Sequence, residues 1–299
     1  MILKRGLPMI DGTIVKGIGG FYYVNTGDKI YECKARGKFR KEKITPLVGD
    51  CVKITVDGLS GQGVIEEILD RKTELIRPPV ANVDHAVVVF AVHQPEPNLS
   101  LLNRFLILAE SQEIDITICL NKMDLAQHED LCSLTDIYRR IGYEVIMTST
   151  KQNIGIEDLK GRLENRITVF AGPSGVGKSS LLNSIQPNLK LQTGEVSQKI
   201  ERGKHTTRHV ELLALDFGGW VLDTPGFSSL HLDFIEADGL QYLFREFHDF
   251  IGTCKFNGCK HLSEPGCAIK KALENHQIYP SRYESYTQLY EEIMQSRRY

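Results

Sequence analysis

Gly172-Pro173-Ser174-Gly175-Val176-Gly177-Lys178-Ser179 is the stretch on which the fold turns. It fits G-x-x-x-x-G-K-[ST], follows an apolar run at Thr168–Ala171 that reads as a strand, and opens a helix-forming segment at Lys178–Ile185. Strand, glycine-rich turn and helix in that order gather backbone N–H groups and the positive end of a helix at one point, which suits a phosphate. Lys178 is then placed to reach the β- and γ-phosphates and the Ser179 hydroxyl to bind Mg²⁺, with Ser180 following at the helix start.

The surroundings carry the texture of a doubly wound parallel sheet. Strand-like runs at Ala86–Val92, Asp115–Leu120, Glu144–Thr148 and Thr168–Ala171 alternate with helical segments at Leu101–Ser111, Leu131–Ile141 and Ile156–Leu163. Val210–Asp216 and Gly219–Asp223 read as an antiparallel hairpin around Phe217-Gly218. Upstream, Gly12–Lys16, Gly20–Val24, Ile30–Ala35, Asp50–Val56 and Gly63–Ile68 are short strands separated by turn residues. Five such strands suit a small closed barrel; an OB fold is the commonest answer, and periodicity alone leaves an SH3-like barrel open. Arg77-Pro78-Pro79 punctuates the chain, because consecutive prolines break helix and strand alike. The expected division is a barrel over 1–75, a nucleotide-binding domain over 76–227 and a helix-rich domain over 228–299.

Asn121-Lys122-Met123-Asp124 fits N-K-x-D and follows the Asp115–Leu120 strand, at the edge of the sheet where ligands bind. The Asp124 carboxylate accepts from the N1–H and N2–H₂ of guanine, donors that adenine lacks in that pattern. Asn121 is expected to steady the loop and face the N7/O6 edge, with the Lys122 stem along the ring. Thr148-Ser149-Thr150, with Ser149 at its centre, is expected to bring a backbone N–H to guanine O6. GTP and GDP are therefore the expected ligands. Asp223-Thr224-Pro225-Gly226 fits D-x-x-G, in which Asp223 holds Mg²⁺ through water and the Gly226 N–H senses the γ-phosphate. In ordinary GTPases the P-loop precedes the base-reading loop, whereas here Asn121–Asp124 comes first. Joining the old termini and opening new ones after D-x-x-G builds the same sheet, so the chain reads as a circular permutation.

Between these motifs lies Gly203-Lys204-His205-Thr206-Thr207-Arg208, where Thr206 or Thr207 is expected to complete the Mg²⁺ shell. Phe227 stands where many GTPases place a water-orienting glutamine. His205 is the nearest group able to bond a water near neutral pH.

Seven cysteines are unevenly spread, and Cys254-x₄-Cys259-x-His261-x₅-Cys267 clusters three thiols and an imidazole. That is a Cys₃His set of the kind that closes around one structural zinc ion. A net charge of −2 excludes a globally basic nucleic-acid binder. Locally, Lys34–Lys43 holds six cations against one anion around Phe39, and is expected to form a barrel loop gripping nucleic acid with cations and a stacking aromatic. The longest apolar run, Ala86–Val92, is too short to span a membrane, and the first residues lack the apolar core of a signal peptide. A cytoplasmic monomer is expected.

Together these motifs resemble the bacterial ribosome small-subunit-dependent GTPases of the RsgA/YjeQ family. Further carriers are Gly20-Phe21-Tyr22-Tyr23-Val24 and Pro46-Leu47-Val48-Gly49-Asp50. The resemblance implies an OB barrel, a permuted GTPase domain and a zinc-binding domain. It implies a late role in maturing the small ribosomal subunit, contact with its rRNA, and stimulation of hydrolysis by the subunit, with His205 as the catalytic residue. Two rival readings are a P-loop ATPase or small-molecule kinase, opposed by Asn121–Asp124, and a non-catalytic zinc and RNA-binding adaptor, opposed by the intact Lys178, Ser179 and Asp223.

Overall fold

The structure, a computed structural model, describes residues 8–58, 61–76, 78–126, 128–189, 210–222, 232 and 234–297, of which 76 and 128–133 are described by their backbone alone. Strands β1 (Ile10–Ile18), β2 (Phe21–Asn25), β3 (Ile30–Ala35), β4 (Cys51–Val56) and β5 (Gly63–Ile68) close into a barrel in the order β1-β2-β3-β5-β4. β3 and β5 run parallel and the other pairs antiparallel, including β4 back onto β1. This Greek-key order is that of the OB fold and decides against the SH3-like alternative. Alternation drives the closure: Ile14, Val24, Val52, Ile54 and Ile65 point inward and are fully buried.

The basic stretch differs from expectation. Residues Gly37–Lys41 form a short helix, α1, whose Phe39 is 4 % exposed and plugs the barrel. Phe39 is therefore core rather than a platform for bases. Arg36 pairs with Glu66 at 2.7 Å, while Lys34, Lys38, Arg40, Lys41 and Lys43 stay exposed.

The Pro46–Asp50 segment is a joint. Gly49 has φ +92°, and a Cβ there would lie 1.9 Å from the Ala81 carbonyl oxygen, so only glycine lets the next segment pack this closely. The fully buried Asp50 carboxylate accepts from Arg71 at 2.7 and 2.9 Å and from the Leu47 N–H at 2.7 Å. The prolines after residue 77 do not end strand structure. Pro79 opens β7 (Pro79–Ala81), which pairs with β6 (Glu74–Ile76), and proline is tolerated at a strand's first residue.

Beyond the joint, β8 (His85–Ala91), β9 (Asp115–Asn121), β10 (Glu144–Met147), β11 (Ile167–Ala171), β12 (Leu212–Ala214) and β13 (Trp220–Leu222) form one sheet ordered β10-β9-β8-β11-β13-β12. All are parallel except β12, the antiparallel edge. Successive β8 side chains serve opposite faces: Val88 and Phe90 join the layer containing Leu102 and Leu106 of α2 (Leu99–Glu110). Val87 and Val89 meet Leu159 of α4 (Ile156–Leu163) and Leu181 of α5 (Lys178–Ile185), while α3 (His128–Ile141) completes the first layer.

His85 is 1 % exposed in β8, with Nδ1 3.1 Å from Thr168 Oγ1 and Nε2 2.9 Å from Thr117 Oγ1. Burial pushes its pKa down from 6.5 to about 4. The unfolded chain takes up this proton first, so stability should fall as pH drops from 6.5 toward about 4. The slope from this one group approaches about 1.4 kcal/mol per pH unit. Thermal melts across that range should show a flatter curve for His85→Gln, and equal slopes would count against the assignment.

The C-terminal region combines 3-10 turns at Ala237–Leu243 and Arg245–Phe247 with α6 (Ala268–Glu274) and α7 (Pro280–Ser296). Arg282 of α7 is fully buried, paired with Glu246 at 2.5 Å and donating to Asn103 Oδ1 of α2 at 2.8 Å. Tyr138 of α3 donates to the same oxygen at 2.9 Å, and Asn103 donates to Ser285 at 2.7 Å. This satisfied polar network fixes the C-terminal region against α2 and α3. No helix among the described residues is long and apolar enough to cross a membrane.

Candidate nucleotide site and metal centre

Parallel strands bring their C-terminal ends to one edge, and three loops meet there. The P-loop leaves β11 at Gly172, the N-K-x-D loop ends β9 at Asn121, and Thr148 follows β10. Val176 is fully buried among Leu181, Ile185 and Phe170, which anchors the P-loop to the sheet. Lys178 folds over its own loop and donates to the Gly172 carbonyl at 2.8 Å and the Pro173 carbonyl at 2.6 Å. Burial holds its pKa below the usual lysine range. Ser179 and Ser180 occupy the first turn of α5.

Asn121 joins the loops. Its Nδ2 donates to the Val176 carbonyl at 2.8 Å and its Oδ1 accepts from Thr148 Oγ1 at 3.1 Å. The side chain is 1 % exposed, so it spans protein to protein and steadies the loops from beneath. Gly177 makes room for it: a Cβ there would sit 2.5 Å from Asn121 Nδ2, at φ +95°. Lys122 adopts a left-handed conformation at φ +64° and its ammonium donates to the Gln94 carbonyl.

Asp124 Oδ1 accepts from Ser149 Oγ at 2.8 Å, and Oδ2 lies 3.2 Å from Lys151 Nζ. The Ser149 hydrogen bond, with help from Lys151, holds this carboxyl below the usual range. It is thus ionised near neutral pH and can only accept, as a guanine edge requires. The Ser149 N–H donates to Ile154 O at 3.0 Å and the Thr148 N–H to Leu120 O at 2.8 Å. Of the triplet expected to reach guanine O6, Thr150 keeps its N–H outside these backbone bonds. Ser149 works on the site through its hydroxyl. Lys151 and the locking role of Thr148 escaped sequence reasoning, although Lys151 directly follows the recognised triplet and Thr148 opens it.

His205, Thr206, Thr207, Asp223, Gly226 and Phe227 lie outside the described residues.

Cys254, Cys259, His261 and Cys267 bring their ligand atoms within 4.8 Å of one another. Cys254 Sγ lies 4.0 Å from Cys267 Sγ and 3.6 Å from His261 Nδ1, and His261 Nδ1 lies 3.3 Å from Cys267 Sγ. A tetrahedron built on metal–sulfur bonds of about 2.3 Å has edges of about 3.8 Å, so the set fits a four-coordinate ion. His261 Nε2 lies 2.9 Å from Gln241 Oε1, which places the ring proton on Nε2 and turns Nδ1 toward the thiols. Gln241, distant in sequence from the cluster, gave no signal of this role. Burial pushes the Cys259 thiol up to about 12 and raises Cys267, so thiolates here need a cation beside them.

The sequence matches the RsgA GTPase family over residues 68–233 and the RsgA N-terminal domain family over residues 11–65. The small ribosomal subunit biogenesis GTPase RsgA of Alkaliphilus metalliredigens (strain QYMF) is 57% identical over 292 residues, 97% of this chain and 100% of that protein. The crystal structure of YjeQ from Thermotoga maritima superposes with a TM-score of 0.86 at 40% identity, covering 96% of this chain and 99% of that one. That of YloQ, described as a circularly permuted GTPase, gives 0.83 at 41% identity, with 99% of both chains covered. With the strand that leads into N-K-x-D ahead of the strand that leads into the P-loop, and these matches running nearly end to end, the chain belongs to the RsgA GTPase family of circularly permuted GTP hydrolases.

Proposed function

We propose that this enzyme binds the small ribosomal subunit, contacts its rRNA, and acts late in its maturation, hydrolysing GTP to GDP and phosphate under stimulation by the subunit. The observation that carries the nucleotide half is the Asn121 side chain, which ties the base-reading loop to the P-loop at 2.8 Å and to Thr148 after β10 at 3.1 Å. Phosphate and base recognition are thereby held as one rigid unit. The RsgA names of its relatives support the ribosomal half.

In this reading Gly172–Ser180 cradles the phosphates, Lys178 neutralises the β- and γ-phosphates, and Ser179 with a switch threonine, Thr206 or Thr207, holds Mg²⁺. Mg²⁺ supplies charge neutralisation between the phosphates when bound. Asp124 reads the guanine edge, Lys122 lies along the ring, and the Thr150 N–H takes O6. Asp223 and Gly226 serve Mg²⁺ and the γ-phosphate, and His205 orients the attacking water. The division into 1–75, 76–227 and 228–299 separates RNA contact, hydrolysis and the zinc-binding helical region of a cytoplasmic monomer. The deciding experiment is GTP turnover with and without purified small ribosomal subunits. Turnover should rise strongly with subunits, and equal rates would overturn the ribosomal reading.

The ion is zinc, held structurally, since four protein ligands leave no open position. Metal analysis should find about one zinc per chain, lost in Cys259→Ala. Chelation should loosen the C-terminal region, read by proteolysis, while GTP affinity survives. A metal-free protein whose C-terminal region resists proteolysis equally would sink the assignment.

A further inference from the structure

Strand β1 contributes to two surfaces. On the outside of the barrel Lys16 lies opposite Tyr23, and Phe21 opposite Lys34. Lys34 Nζ stands 5.0 Å from the Phe21 ring centroid. Aromatic faces beside cations suit unpaired bases and their phosphates. Lys16 also reaches away from the barrel. Its Nζ lies 2.6 Å from Glu211 Oε2, with the side chains 30% and 34% exposed, and the two backbones form an isolated antiparallel bridge. Glu211 leads directly into β12, the edge of the nucleotide-binding sheet, and in sequence it closely follows Gly203–Arg208.

We propose that Lys16 and Glu211 are a positioning pair that holds the entry to β12 against the barrel until an RNA phosphate on the barrel face takes over Lys16. This rests on the reading of the barrel as the RNA-contacting module. One ammonium faces two competing anions, and a phosphate bound beside Tyr23 competes directly with Glu211. Once Lys16 turns to the phosphate, the Glu211 carboxylate moves to water and the start of β12 is released. A groove of about 620 Å³ separates Gly12, Thr13 and Thr26 of the barrel from Ala214, Leu215 and Trp220 of the hairpin. The bridge is thus a brake on hydrolysis that RNA lifts.

Trp220 is the only tryptophan of the chain and lines this groove, so its emission reports the latch without any activity assay. The test uses the full-length protein, a fluorescein-labelled single-stranded RNA oligonucleotide followed by anisotropy, and single-turnover GTP hydrolysis. In the wild type, RNA should bind, shift Trp220 emission and speed turnover. Glu211→Gln should show the shifted emission without RNA and turn over about fivefold faster, the effect of losing one partly exposed ion pair, with RNA adding little. The charge swap Lys16→Glu with Glu211→Lys should restore resting emission and turnover yet give no response to RNA, because Glu at position 16 repels phosphate. A merely structural pair would regain the RNA response in the swap, and that result overturns the proposal. RNA binding that leaves wild-type emission and turnover unchanged, or Glu211→Gln behaving as wild type, overturns the latch and spares the barrel reading. Absence of RNA binding overturns both.

Discussion

Asp124→Asn should weaken GTP binding about a hundredfold, the cost of leaving two buried donors without acceptors, and should create binding of xanthosine triphosphate. The carboxylate is kept ionised by Ser149 at 2.8 Å and Lys151 at 3.2 Å, so both of its oxygens accept. An amide keeps one acceptor and turns an N–H₂ toward the guanine N2–H₂, donor against donor. Xanthine carries a carbonyl at that position and pairs with the amide. Ser149→Ala separates orientation from readout. It leaves the carboxylate in place with one support gone, so GTP should bind several-fold more weakly with no gain of xanthosine triphosphate. Competition binding against a fluorescent GDP analogue measures all three proteins. Wild-type GTP affinity in Asp124→Asn would remove Asp124 from the base site.

What could be read from the residues depended on whether they carried a period or a motif. The barrel strands were legible because short runs such as Gly12–Lys16, Gly20–Val24 and Ile30–Ala35 are set off by glycine, asparagine and aspartate turn residues. The sheet was legible because β8 is a nearly continuous apolar run, and β9 and β11 each end in a loop of recognisable chemistry. Helix α1 was not, since five residues give no helical period and six nearby cations masked the one buried ring, Phe39. The β6–β7 hairpin hid behind consecutive prolines, whose effect on a strand depends on position along it. The nucleotide motifs named the right loops but not how they lock together. The reach of Asn121 to Val176 depends on β9 and β11 flanking β8, and only the three-dimensional order of strands reveals it. Gln241 and Arg282 were silent for the same reason: each supports the metal centre or its attachment from a distant element.

His205→Ala should keep nucleotide affinity and lose most subunit-stimulated turnover. Phe227 is an apolar residue where a water-orienting glutamine is common, which leaves the orienting role to another polar group. His205 in the Gly203–Arg208 segment can bond a water near neutral pH. Removing one positioned acid–base group costs about 10²- to 10⁴-fold in rate, and because that group bonds the water in the transition state, the loss appears in turnover and not in binding. Lys178→Ala should behave differently. Lys178 belongs to the P-loop, where its ammonium bonds the Gly172 and Pro173 carbonyls at 2.8 and 2.6 Å beside the phosphate cradle. Its loss should weaken binding and hydrolysis together. The two phenotypes separate a residue that acts once the subunit orders the switch from one that touches phosphate throughout the cycle. Single-turnover hydrolysis with saturating small subunits distinguishes them. A His205→Ala rate within about threefold of wild type, well short of the 10²-fold minimum expected of a positioned acid–base group, would return the water-orienting role to some other residue.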